Sequence, residues 1–132
     1  MVSGPPRLSA SIDDKPTAGI IHLGLGAFYR AHGAIYIAEA MAHSHGDWGI
    51  IGVNLIRPDQ RDLLKPQGFA YTAVELSPTS EVSQVINVLN DVLVARENPA
   101  AVLQAMASPA IKIVSLTVTE KGYCHEPSSG AL

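Results

Sequence analysis

Gly24-Leu25-Gly26 stands between a compact apolar run, Ile20-Ile21-His22-Leu23, and a stretch of helical periodicity. A glycine pair in that setting suits a backbone that must come close to a phosphate. Gly24 permits a tight turn, and Gly26 leaves no Cβ where a pyrophosphate would lie. The N–H groups of Ala27 and Phe28 would then face the anion from the positive end of a helix dipole. Arg30 is placed to meet a phosphate or to hold the loop. An ordinary strand-to-helix turn needs the same small residues, so the pair alone does not decide. The sixth position of the G-x-G-x-x-G fingerprint is Tyr29, which keeps a helix off the sheet unless Tyr29 points outward. His32 is expected to bond a neighbouring backbone group.

Two further clusters could carry chemistry. A dinucleotide site usually has an acid after its second strand to take the ribose hydroxyls. Here that place holds Asn54, with Arg57, Asp59 and Arg61 following. An acid repels a 2′-phosphate and an arginine attracts one, so these residues leave NAD and NADP both open. The second cluster is Thr117, Thr119 and Glu120 after the apolar run that ends at Val118. Polar residues at the carboxyl end of a parallel strand open into the ligand crevice, and Glu120 could relay a proton. His43 and His45 are two residues apart, which a helix does not bring onto one face, and no metal site is expected.

The elements that would position these groups follow from the apolar pattern. Ile20–Gly24, Gly49–Leu55 and Ile111–Val118 are short aliphatic runs, expected as neighbouring parallel strands. Ala31, Ala34, Ile35, Ala38, Met41 and Ala42 make one apolar stripe, expected as a single long helix ended by Gly46. Phe69–Leu76 and Glu81–Leu89, joined by Ser77-Pro78-Thr79-Ser80, read as an antiparallel hairpin. Asn98-Pro99 starts a further helix. The fold class is therefore α/β, a partial Rossmann-like doubly wound parallel sheet with an inserted hairpin. Residues 1–18, rich in proline and serine, are expected to be a loose arm, and residues 19–132 the N-terminal half of a dinucleotide-binding domain.

Composition agrees. Of 132 residues, 47% are hydrophobic and 16% charged, which excludes a disordered chain. A net charge of −3 with no basic stripe argues against nucleic acid as partner. Nothing approaches the roughly 20 apolar residues of a membrane span, no secretory leader is visible, and Cys124 has no partner for a disulfide. A cytoplasmic protein without membrane contact is expected.

Together, Gly24-Leu25-Gly26-Ala27-Phe28-Tyr29-Arg30-Ala31-His32, Trp48-Gly49-Ile50 to Leu55, and Ile113 to Glu120 with Gly122-Tyr123 resemble the polyol-specific long-chain dehydrogenases, the family of the mannitol and mannonate enzymes. That family places non-glycine residues at the position of Tyr29. The resemblance implies metal-independent, NAD-linked interconversion of a sugar alcohol or aldonate and its keto form. It implies that Gly24, Gly26 and Phe28 line the cofactor, that Asp59 contacts the adenosine ribose, and that Glu120 lies near the route of the released proton. Asn54-Leu55 and Thr119-Glu120-Lys121-Gly122-Tyr123-Cys124 are more similar to the mannonate branch, with mannitol 2-dehydrogenases the alternative. The family's catalytic lysine belongs to a downstream catalytic domain absent from this chain, so the remainder of a parent enzyme is the expected partner and the isolated chain is expected to be inactive.

Two other classes use related turns. S-adenosylmethionine methyltransferases usually place an acid two residues before the first glycine, where this chain has His22. A non-enzymatic nucleotide-binding module would need a complete fold within these residues.

Overall fold

A computed structural model describes Leu8, Asp14–Thr119, Glu126 and Ser128–Ala131. Its elements, in chain order, are β1 (Ala18–Leu23), α1 (Ala27–Ala31), α2 (Gly33–Ser44), β2 (Gly49–Asn54), α3 (Asp59–Leu64), β3 (Tyr71–Leu76), β4 (Glu81–Ile86), β5 (Leu89–Val94), α4 (Pro99–Ala107) and β6 (Ile113–Leu116). The main sheet has four strands in the order β5-β2-β1-β6. All its pairings are parallel. The expected parallel neighbours are therefore present, with the last trimmed to Ile113–Leu116.

The order adds something the sequence reading lacked. A three-strand half was expected, with Ile111–Val118 as its third strand. Instead β5 lies outside β2, and β6 lies on the opposite side of β1. The chain thus crosses the point where strand order reverses, beside which α/β sheets bind ligands. The predicted hairpin strand Glu81–Leu89 stops at Ile86, and Leu89 starts a strand of its own. Its polar Asn90-Asp91 pair is partly satisfied, with Asn90 Oδ1 left buried and without a partner. Asn90 Nδ2 donates to the Pro16 carbonyl at 2.6 Å, and Asp91 Oδ1 accepts from the Val92 N–H at 2.8 Å. Of the apolar remainder, Leu89, Val92 and Val94 are buried and Leu93 half-buried.

Side-chain alternation along the strands builds a core on each face. Ile20, Leu25, Ala34, Ile50, Leu89 and Val92 pack on the side of α2 and the hairpin. Ile21, Val53 and Val102 pack under α4 on the other. The α4 start is as expected, with Asn98 Oδ1 accepting the Ala101 N–H at 3.1 Å. The hairpin pairs Tyr71 with Ile86 through Leu76 with Glu81, and Ser77 N–H donates to the Ser80 carbonyl across its turn.

The single long helix is corrected to two, α1 and α2, separated at His32 (φ −129°, ψ −73°). Most of the predicted arm lies outside the described residues. Its last residues are tied down: Lys15 donates to Asn87 Oδ1 at 2.6 Å, and the Thr17 carbonyl accepts the Gly49 N–H at 2.9 Å.

Candidate active site

The glycine turn is pinned from beneath. Gly24 and Leu25 both direct their N–H groups at the Val53 carbonyl, at 2.8 and 3.3 Å. Gly24 has φ +88°, where a side chain is strained, so the turn itself requires glycine there. Leu25 plugs downward and is buried against β2. Gly52 makes room for it: a Cβ at Gly52 would stand 2.6 Å from Leu25 Cδ2.

Gly26 differs from both. Its backbone is extended (φ −109°, ψ −176°), which any residue adopts. A Cβ there would have only the Gly24 carbonyl oxygen near it, at 3.9 Å. Neither backbone nor packing demands glycine at this place. Gly26 itself lines a groove of about 510 Å³ walled also by Gly24, Leu25, Asn54, Arg57 and Asp59, among others. The structure thus brings together four of the predicted residues: Gly24, Gly26, Asn54 and Asp59.

Asn54 ends β2, is buried, and leaves its amide nitrogen without a partner. An unpaired buried donor costs about 1–3 kcal/mol, which a bound acceptor would relieve. Asp59 sits at the first position of α3 with its carboxylate 2.9 Å from Arg57 Nε, both side chains exposed. Arg61 turns away from the groove, to Glu97 and Asp62.

Arg30 holds the loop: its Nε donates to the Gly26 carbonyl at 3.3 Å. The Arg30 carbonyl accepts the Tyr71 hydroxyl at 2.6 Å, fastening α1 to the hairpin. Burial raises the pKa of that phenol and keeps it a donor. Ala27 and Arg30 face a second groove of about 610 Å³ between α1, α2 and the hairpin. Phe28 is exposed at the start of α1. The His32 ring lies against it, centroids 4.9 Å apart, rather than in a backbone hydrogen bond of the kind expected. Thr119 is exposed beyond β6, and Glu120 lies outside the described residues. Among the described residues no group of three or more His, Cys, Asp and Glu is gathered to hold a metal, and no helix is long and apolar enough to cross a membrane.

Sequence reasoning missed the centre of the α1 face. Tyr29 points inward, so the close approach at the sixth position is not reached by turning it outward. Its ring stacks on His22 with centroids 3.5 Å apart and 7° between planes. Gly33 provides the space, since a Cβ there would lie 2.6 Å from two Tyr29 ring carbons. His22 is buried, with Nδ1 2.8 Å from Ser115 Oγ and Nε2 2.8 Å from Thr117 Oγ1. The signal was the alternation Ser115-Leu116-Thr117, which sends two hydroxyls to one face of β6 beside His22.

Burial lowers the pKa of His22, against a backbone contact at Gly24 that raises it. The unfolded chain therefore binds a proton in a pH range where the fold does not, and stability rises with pH across that range. From about pH 6.5 downward, the fold should lose stability through His22, and the loss should end below the folded pKa. Urea unfolding of wild type and His22→Phe at pH 7, 6 and 5 measures this. Parallel pH dependences in the two proteins would refute it.

The mannitol dehydrogenase Rossmann domain matches residues 18–131. D-mannonate oxidoreductase of Escherichia coli K12 is 43% identical over 117 residues, 86% of this chain and 24% of that protein. A polyol:NADP oxidoreductase of Gluconobacter oxydans is 39% identical over 118 residues, 86% of this chain and 24% of that protein. Among solved structures, the Pseudomonas fluorescens mannitol 2-dehydrogenase ternary complex with NAD and D-mannitol superposes with a TM-score of 0.76. It is 38% identical, covering 97% of this chain and 27% of that one. The chain thus spans about a quarter of the length of the relatives it matches.

Proposed function

The chain belongs to the mannitol dehydrogenase family, whose Rossmann domain it carries, and from that premise we propose that it is the cofactor-holding part of an NAD-dependent oxidoreductase. The substrate is a sugar alcohol or aldonate, D-mannonate with D-fructuronate as its keto form in the first place and mannitol in the second. The observation that carries the cofactor reading is Gly26. It is a glycine that neither backbone nor packing requires, and it lines the same groove as Asn54, whose amide nitrogen is unpaired.

In this reading Gly24 shapes the turn, Gly26 admits the pyrophosphate, and Ala27 and Phe28 flank it. Arg30 holds the loop closed by its bond to the Gly26 carbonyl. Asn54 and Asp59 receive the adenosine ribose, and Thr119 and Glu120 stand on the nicotinamide side. When bound, the nicotinamide supplies the hydride acceptor for a carbinol carbon. The residues of this chain bind and orient it, and the remainder of the parent enzyme supplies the base. Such a metabolic activity fits a cytoplasmic protein acting on small molecules.

Arg57 bears on the choice between NAD and NADP. Its guanidinium is engaged by Asp59, so the arginine that would welcome a 2′-phosphate is held by the acid that repels one. Asp59→Ala removes the repulsion and releases Arg57. The ratio of NADPH to NADH dissociation constants is expected to fall about tenfold, a change of about 1.4 kcal/mol. Fluorescence titration of both nucleotides measures it, and an unmoved ratio would reduce Asp59 to a surface turn residue. The substrate is tested on the intact polypeptide that carries this chain, assayed with mannitol, mannonate, altronate and arabinitol against both cofactors. Turnover of none of them would reject the substrate class.

A further inference from the structure

Two polar side chains are buried among the described residues, His22 and Asn54. Asn54 belongs to the groove wall, whereas His22 has no part in the reading above. Yet His22 stands at a junction. Its ring is covered by Tyr29 of α1, and both of its nitrogens meet hydroxyls of the β6 segment. Thr117, at the far end of that pair, faces the glycine turn: a Cβ on Gly24 would find Thr117 Cβ and its carbonyl oxygen nearest, at 3.9 Å. The glycine turn and Thr117 are thus neighbours at the carboxyl ends of β1 and β6, where an α/β sheet opens its ligand crevice and each would form one wall.

The two walls are held by different bonds. On the β2 side, Gly24 and Leu25 are anchored to the Val53 carbonyl. On the β6 side, Thr117 makes a backbone bond to the Leu23 carbonyl at 3.2 Å and a side-chain bond to His22 at 2.8 Å. A planar ring stacked on one side and bonded at both nitrogens is a stiff spacer. In its neutral form it has one donor and one acceptor, which the two hydroxyls can match in either polarity.

A dinucleotide whose adenosine half lies over β2 must extend across β1 toward β6. We infer that His22 is a positioning residue for the nicotinamide half of the cofactor, setting the place of Thr117 against the glycine turn. The inference rests on the dinucleotide reading of the site. It makes the β6 wall matter for NADH and not for a ligand that ends at the pyrophosphate.

The test compares NADH with ADP on the intact polypeptide that carries this chain, by fluorescence and calorimetric titration. His22→Phe keeps a ring for Tyr29 and removes both hydrogen bonds, while Thr117→Val removes one hydroxyl at an exposed position. Each is expected to raise the NADH dissociation constant about tenfold and to leave that of ADP within about twofold. The double variant should bind NADH no more weakly than His22→Phe alone, because both changes act through one bond. Equal losses of NADH and ADP, or additive effects in the double variant, would make His22 a general structural residue and overturn the inference. So would unchanged NADH binding in both variants while Gly26→Val loses both ligands, which leaves the cofactor reading standing. A wild-type protein that binds neither nucleotide overturns the cofactor reading itself, and this inference with it. Should His22→Phe not fold, Thr117→Val decides by the same comparison.

Discussion

Gly26→Val is expected to abolish dinucleotide binding and to leave the fold intact. The backbone there is extended, so valine introduces no strain, and its Cβ meets no protein atom closer than 3.9 Å. What the new methyl groups do meet is the space above the turn, where the pyrophosphate of a dinucleotide would lie against bare backbone. The NADH dissociation constant should rise at least about a hundredfold, which is about 2.7 kcal/mol, with the melting temperature and circular dichroism of wild type retained. Gly24→Val is the contrasting control. At φ +88° it should lose stability as well as binding. If Gly26→Val binds NADH like wild type, the groove beside Asn54 is not the cofactor site.

Leu25→Ala should carry the largest cost in stability of the residues near the site. Leu25 lies between the two glycines, only 3% exposed, and fills the hollow that Gly52 leaves on β2. Alanine would empty that hollow, and neither neighbour can collapse into it, because Gly52 has no side chain and the turn is held by the Val53 carbonyl. Large-to-small changes at such sites cost about 2–5 kcal/mol, and about 3 kcal/mol is expected here. The same change frees the turn to move, so NADH affinity should fall with it. Urea unfolding and NADH titration of one preparation measure both. A loss below about 1 kcal/mol would mean that the turn is held by its backbone bonds alone.

The parallel strands were legible because aliphatic runs such as Ile20-Ile21 and Ile50-Ile51 have no other explanation in a chain so poor in aromatics. The hairpin was legible from its Ser-Pro-Thr-Ser turn. β5 was not, because Asn90-Asp91 interrupts its apolar run, and only the fold reveals that Pro16 takes the Asn90 amide and the Val92 N–H meets Asp91. The break at His32 was hidden because the alanine stripe passes through it unbroken. In the site, Gly24, Gly26, Asn54 and Asp59 were found by motif and spacing, and they converge on one groove. His22 escaped as anything but an argument against methyltransferases, because its role depends on residues 93 and 95 positions away. No local pattern carries a contact of that span.

The stack of Tyr29 on His22, with Gly33 clearing the ring, has a consequence for how such a sequence can change over time. The close approach that a third glycine provides elsewhere is achieved here with an aromatic ring at that position and the small residue four positions later, at the start of α2. Changing Tyr29 to glycine first would strip His22 of its cover and open a void beneath α1. Enlarging Gly33 first would drive a Cβ into the ring at 2.6 Å. Neither single step is neutral, so the two arrangements are separated by an intermediate less fit than either. A lineage that holds one is kept in it by epistasis, and a search for glycine at the sixth position alone will pass over every member that holds the other.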